Sequence, residues 1–278
     1  MTIEHVEGTF AGAGGGQIYW QGWVPDAATG VVVIVHGLAE HGGRYAHVGQ
    51  RLAADGYAVY TADHRGHGKS DGVRGNINRM SEVVVDLETM IRSAAQRHPD
   101  RPVFLYGHSM GGLVALVYVT TGRPAELHGL ILTSSAVDIA VGPKVARLAG
   151  RGLSAVAPNL GTIRLDSSTV SRDPEVVRAY DADPLNYRGK IRARTGAEML
   201  AAAEAVKSKL ATVTMPLLLL HGSADRLTAP SGTRLVAERA GSTDVTLKLY
   251  DGWYHELHNE PDKDSVFDEI VVWLKEHG

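Results

Sequence analysis

The chain has 278 residues, of which 44% are hydrophobic and 21% charged, proportions that exclude disorder as its main state and suit one α/β domain or two smaller ones. A net charge of −3 gives no basic surface to draw it to a phosphate backbone, and the absence of cysteine excludes a disulfide framework, a thiolate metal site and a cysteine nucleophile. Apolar runs such as residues 31–35 (VVVIV) and 113–119 (LVALVYV) fall far short of a bilayer span, and the acidic start around Glu4 and Glu7 lacks the basic-then-apolar order of a signal peptide, so a soluble cytoplasmic protein is expected, with loose attachment to a membrane surface left open.

Taken in chain order, residues 17–24 (QIYWQGWV) read as an edge strand after a flexible turn at residues 12–16. Residues 31–35 are a continuous β-branched run of the kind buried on both faces of a sheet. Tyr45, Val48 and Leu52 fall at helical spacing, with Gly56 placed to end that helix, and residues 57–62 form the next strand. Ser81 is placed to cap a helix with the apolar stripe Val84, Leu87, Ile91 and Ala95, ending before Pro99. A strand at 103–106, a helix at 110–121 and a strand at 129–133 follow; after a gap come a strand at 217–220, a helix from about Ser231, a strand at 245–250 and a helix around 266–274. This alternation predicts an α/β fold, a mostly parallel sheet with helices on both faces. Residues 136–209 break the rhythm with helical patterning alone (Val141, Val145 and Leu148, then Val176, Val177 and Tyr180), which predicts a cap or lid inserted between core segments 1–135 and 210–278. A plain helical buttress is the alternative.

The sharpest chemical signal is Gly107-His108-Ser109-Met110-Gly111, a G-x-S-x-G sequence between a strand and a helix. Two glycines allow a cramped turn that lifts the Ser109 hydroxyl clear of the backbone, and the helix start beneath it supplies donors for a developing oxyanion. A serine needs a base and an orienting acid, expected downstream in the order acid, then histidine. Strand context favours Asp225 as the acid over Asp138, Asp251 and Glu256, and His255 as the base over His258. The N–H of Met110 and that of Leu38, in the glycine turn after the 31–35 strand, are the oxyanion-hole candidates. Gly68-Lys69-Ser70 is not a phosphate loop, because the pattern needs glycine where Asp63 stands. The pairs His64/His67 and His255/His258 have metal-ligand spacing, but neither forms H-E-x-x-H, and no metal is expected.

The run from His36 to Tyr45 (HGLAEHGGRY), the run from Asp63 to Ser70 (DHRGHGKS), the serine elbow and His255-Glu256-Leu257-His258-Asn259-Glu260 together resemble the monoacylglycerol lipase family of α/β-hydrolases, most closely its actinobacterial members. The resemblance implies the α/β-hydrolase fold, a triad of Ser109, Asp225 and His255, oxyanion donors at Leu38 and Met110, and a cofactor-free enzyme. It also implies a glycerol site at Glu40, Arg44 and His258, with a plain Glu40–Arg44 salt bridge and a solvated His258 as the alternative, and so long-chained a substrate calls for an apolar lid in contact with membranes or lipid aggregates. The expected reaction is cleavage of monoacylglycerols through an acyl-enzyme. A lysophospholipase, a general carboxylesterase, a proline-iminopeptidase-type peptidase, a cofactor-free haloperoxidase and a non-enzymatic binder on the same fold are the rivals.

Overall fold

The structure, a computed structural model, describes residues 2–121, 127–138 and 152–278. Eight strands form one sheet: β1 (Ile3–Ala11), β2 (Gln17–Pro25), β3 (Gly30–Val35), β4 (Tyr57–Ala62), β5 (Val103–His108), β6 (Gly129–Thr133), β7 (Leu217–Gly222) and β8 (Val245–Tyr250), in the spatial order β1-β2-β4-β3-β5-β6-β7-β8. From β4 to β8 every neighbouring pair is parallel, whereas β1–β2 and β2–β4 are antiparallel. The second strand is therefore interior and not the edge. The edge is β1, joined to it by a tight turn in which the Gly12 N–H donates to the Gly16 carbonyl at 2.9 Å.

Among the described residues the longer helices are α1 (Ala46–Ala54), α2 (Met80–Arg97), α3 (Met110–Thr120), α4 (Pro174–Ala182), α5 (Ala193–Lys207), α6 (Pro230–Arg239) and α7 (Asp264–His277). The β-branched run of β3 explains the layering. Val31, Val33 and Val35 pack with apolar residues of α2, α3, α5 and α6, while Val32 and Ile34 pack against α1 and α7. A strand buried on both faces has no polar side to alternate with, hence its unbroken apolar sequence. Helix α2 begins one residue before the expected cap: Arg79 occupies the N-cap without a side-chain bond, and Ser81 lies inside the helix.

Between β6 and β7 the described residues form no named strand, only an isolated bridge between Gly161 and Arg192. The expected stripe at Val141, Val145 and Leu148 lies outside the described residues. Helix α5 buries Met199, Ala202, Ala203 and Val206 in the same apolar cluster as α3, so this part of the insertion is built into the core. Helix α4 and its flanks lie instead over the loops that follow β3 and β8.

Candidate active site

Ser109 stands at the junction of β5 and α3 with φ 53° and ψ −119°, in a region that non-glycine residues rarely occupy. The conformation is held from below: its N–H donates to the Thr133 carbonyl at 3.0 Å, and its carbonyl accepts from Ala136 N at 3.0 Å and Leu113 N at 3.2 Å. Glycine is required beside it, since a Cβ on Gly111 would collide with the Val35 carbonyl. The turn after β3 comes equally close, because a Cβ on Gly37 would lie 2.7 Å from Glu40 Oε1 and 3.2 Å from Ser109 Cβ. Leu38, next in that turn, lines the cavity with Ser109, and Met110 is the first residue of α3, where backbone N–H groups have no partner within the helix.

Asp225 and His255 follow the ends of β7 and β8, and Ser109 follows β5 with only β6 between, so the loops after these parallel strands gather at one edge of the sheet. Asp225 Oδ2 lies 2.6 Å from His255 Nδ1, while Asp225 Oδ1 accepts from the N–H groups of Leu227 at 2.7 Å and Thr228 at 3.1 Å. Burial works against ionisation of Asp225, but His255, His221 and the backbone donors of Thr228 hold its pKa well below the usual carboxylate range. Burial likewise opposes a charged His255, yet the Asp225 carboxylate, with Glu256 and Glu40 further off, raises its pKa. Of the rival acids, Asp138 accepts from Ser231 Oγ at 2.7 Å and faces Lys207 at 3.9 Å with a half-exposed side chain, and Asp251 accepts from Ser223 Oγ at 3.0 Å.

Three residues were expected to receive a glycerol head group. Glu40 lines the cavity, but Arg44 and His258 stand behind its wall. Glu40 Oε1 accepts from Gly37 N at 2.5 Å and Tyr45 Oη at 2.8 Å, and Oε2 pairs with the Arg44 guanidinium at 2.7 Å. Arg44 reaches Glu256 with both terminal nitrogens at 2.7 Å, so the two carboxylates share one buried cation. Burial pushes the Glu40 carboxyl up, whereas in Glu256 the same guanidinium more than offsets burial and lowers it. His258 is sealed between the stacked ring of Tyr45 at 4.7 Å and the edge-on ring of His108 at 4.9 Å, and burial pushes its pKa down to about 3. Glu40 and Arg44 are thus engaged with each other in an ion cluster whose third member, Glu256, was not expected. His64 and His67 direct ring nitrogens to the carbonyls of His36 and Arg65.

The cavity measures about 960 Å³ and runs from Ser109 and His255 between the core and the insertion. Its insertion side includes Ile163, Leu165, Val170, Tyr180, Met199 and Leu200, which help to make the lining mainly apolar. The sequence held no signal for these positions, because side chains that line a cavity and side chains that pack in a core are the same residue types. The insertion is tied to the loops at the edge of the sheet that carries Ser109. The Tyr187 N–H donates to the Ala39 carbonyl at 2.9 Å, His41 Nε2 meets Asp183 at 2.8 Å, and the Glu256 N–H donates to the Val170 carbonyl at 2.8 Å.

A family model described as serine aminopeptidase, S33, matches residues 26–262. A monoacylglycerol lipase of Mycolicibacterium smegmatis is 42% identical over 98% of this chain and 97% of that protein. The human monoglyceride lipase is 38% identical over 95% of this chain and 88% of its own. Among solved structures, the crystal structure of the Paleococcus ferrophilus monoacylglycerol lipase superposes with a TM-score of 0.84 at 29% identity, covering the whole of both chains.

Proposed function

From the premise that this chain belongs to the serine aminopeptidase S33 family of α/β-hydrolases, alongside its monoacylglycerol lipase relatives, we propose that it hydrolyses monoacylglycerols to fatty acid and glycerol through an acyl-enzyme on Ser109. His255 Nε2 takes the Ser109 proton as Oγ attacks the ester carbonyl, and the resulting oxyanion receives the N–H groups of Leu38 and Met110. The protonated His255 then gives that proton to the departing glycerol oxygen. A water deprotonated by the same nitrogen attacks the acyl carbonyl, and Ser109 is restored as the fatty acid leaves. Asp225 keeps the proton of the neutral imidazole on Nδ1, so that Nε2 points to the serine, and it stabilises the imidazolium between steps.

One observation carries the substrate class: the elbow serine opens into a large, mainly apolar cavity rather than a shallow polar cleft. An acyl chain gains by leaving water along such a wall, at about 0.8 kcal/mol per buried methylene. The exposed Val156, Leu160 and Ile163 on the insertion, the last also lining the cavity, support a lid that meets a lipid surface. No helix among the described residues is long and apolar enough to cross a membrane.

The test combines labelling with a fluorophosphonate probe and turnover of a monoacylglycerol against an amino-acid anilide. The proposal expects labelling lost in Ser109→Ala and turnover of the acylglycerol alone. Preference for the anilide would assign the cavity to a peptide substrate.

A further inference from the structure

Asp225 has two imidazoles on one carboxylate oxygen. Besides His255 Nδ1 at 2.6 Å, Oδ2 faces Nε2 of His221 at 3.1 Å, and the Asp225 and His221 side chains are closed to solvent. The neighbours of His221 fix its tautomer. Nε2 looks toward the Asp225 carboxylate and, at 3.3 Å, the Thr228 carbonyl, both acceptors, so this nitrogen carries the proton. Nδ1 is then the acceptor, and the Thr233 hydroxyl, 2.6 Å away on α6, donates to it. Being the fifth residue of β7, His221 is held by the sheet while α6 aligns its ring.

We infer that His221 is a positioning residue for the reaction: its Nε2–H anchors Oδ2 of Asp225 and draws part of the carboxylate's charge away from His255. The inference rests on the triad proposed above. A carboxylate that already donates lone-pair density to a second N–H is a weaker partner for the imidazolium of His255. Without that donor, Asp225 would bind the imidazolium more tightly and the base would stay protonated to higher pH. His221 thus keeps the base available near neutrality. It also adds to the hold that the Leu227 and Thr228 N–H groups on Oδ1 and the Thr228 hydroxyl on Oδ2 have on the carboxylate's orientation.

The charged and titratable groups facing His255 are Asp225 and His221 of the β7 side, His108 of β5, Glu40 with its partner Arg44 of the β3 side, and Glu256 and His258 of its own loop. Burial holds His108 and His258 neutral, and changing His221 leaves all the others in place.

The experiment is the pH profile of kcat/KM on a p-nitrophenyl ester for the full chain and two variants. His221→Leu keeps bulk and removes the donor; His221→Gln offers an amide N–H where Nε2 stood. The acidic limb is expected to move up by about half to one pH unit in His221→Leu and to return toward the parent position in His221→Gln. An unmoved limb in His221→Leu, or identical profiles for both variants, would overturn the inference. Should His221→Leu fail to fold, Thr233→Val decides in its place. It removes the hydroxyl that aligns the ring through Nδ1, so a smaller upward shift supports the inference and an unmoved limb overturns it. Asp225→Asn in the same assay separates the two layers. Full activity there would overturn the triad and the inference together, whereas a crippled Asp225→Asn beside an unmoved His221→Leu limb would overturn the role of His221 alone.

Discussion

The oxygens of Asp225 are engaged before any substrate arrives, Oδ1 by two backbone N–H groups and Oδ2 by His255, His221 and the Thr228 hydroxyl. Replacing it with asparagine puts an amide where an acceptor is needed and favours the wrong tautomer of the base, so Asp225→Asn should lower kcat by ~10⁴ with little change in KM. Asp138→Asn, removed from His255 and bonded to Ser231, should leave kcat near the parent value. The reverse pattern would place the acid after β6. The base must be neutral to accept the serine proton, and its pKa lies above the ordinary 6.5. The pH profile of kcat/KM should therefore lose activity as pH falls through a value above 6.5; a limb well below it would mean that Asp225 does not face a protonated His255. At this scale the sequence was informative wherever a motif sits on a backbone turn. G-x-S-x-G specifies a cramped junction whose glycines answer a steric demand, so Ser109 could be placed from five letters. His221 could not, because a histidine within an apolar run carries no mark of what its ring meets.

Among the elements, the turn after β3 gathers more contacts than a glycine turn requires. Glu40 holds the Gly37 N–H, Arg44 holds Glu40 and Glu256, and the flank of α4 holds the Ala39 carbonyl and His41. Glu40→Ala should therefore lower kcat comparably on a monoacylglycerol and on a p-nitrophenyl ester of the same acyl chain, because it unmoors the strand of backbone that carries Leu38. A rise in KM confined to the monoacylglycerol would instead assign Glu40 to the head group. Arg44→Met leaves two buried carboxylates without their cation and should destabilise the fold by about 3–5 kcal/mol, read from the denaturant midpoint. Unchanged stability would mean that Glu40 or Glu256 is protonated in the folded chain. The Glu40–Arg44 half of this cluster is local, four residues apart, and was open to a reading of the sequence, but nothing local pairs Arg44 with Glu256 near the other end of the chain. The edge strand β1 was missed for a different reason: its side chains are half-exposed, and Glu4, His5 and Glu7 dilute the apolar alternation that marks a strand.

For the molecule as a whole, the sheet and its two apolar faces were legible because strands buried on both sides leave continuous apolar runs, while the insertion was legible only as an interruption. Its described part has two characters. Helix α5 belongs to the core, and the flanks of α4 are bonded to the loops after β3 and β8, whereas the stretch around residues 152–165 carries the exposed Val156, Leu160 and Ile163. Lipid vesicles should slow hydrogen exchange in that stretch and leave α5 unchanged; exchange unaltered throughout would favour a buttress with no lipid-facing role. The central claim, an acyl-enzyme on Ser109 formed from a monoacylglycerol, is tested most directly by rapid acid quench of the enzyme during turnover, followed by mass spectrometry of its peptides. The peptide that contains Ser109 should carry the mass of the acyl group, and Ser109→Ala should carry none and turn over ~10⁶-fold more slowly. Turnover retained in Ser109→Ala, or an acyl group found on another residue, would contradict the account.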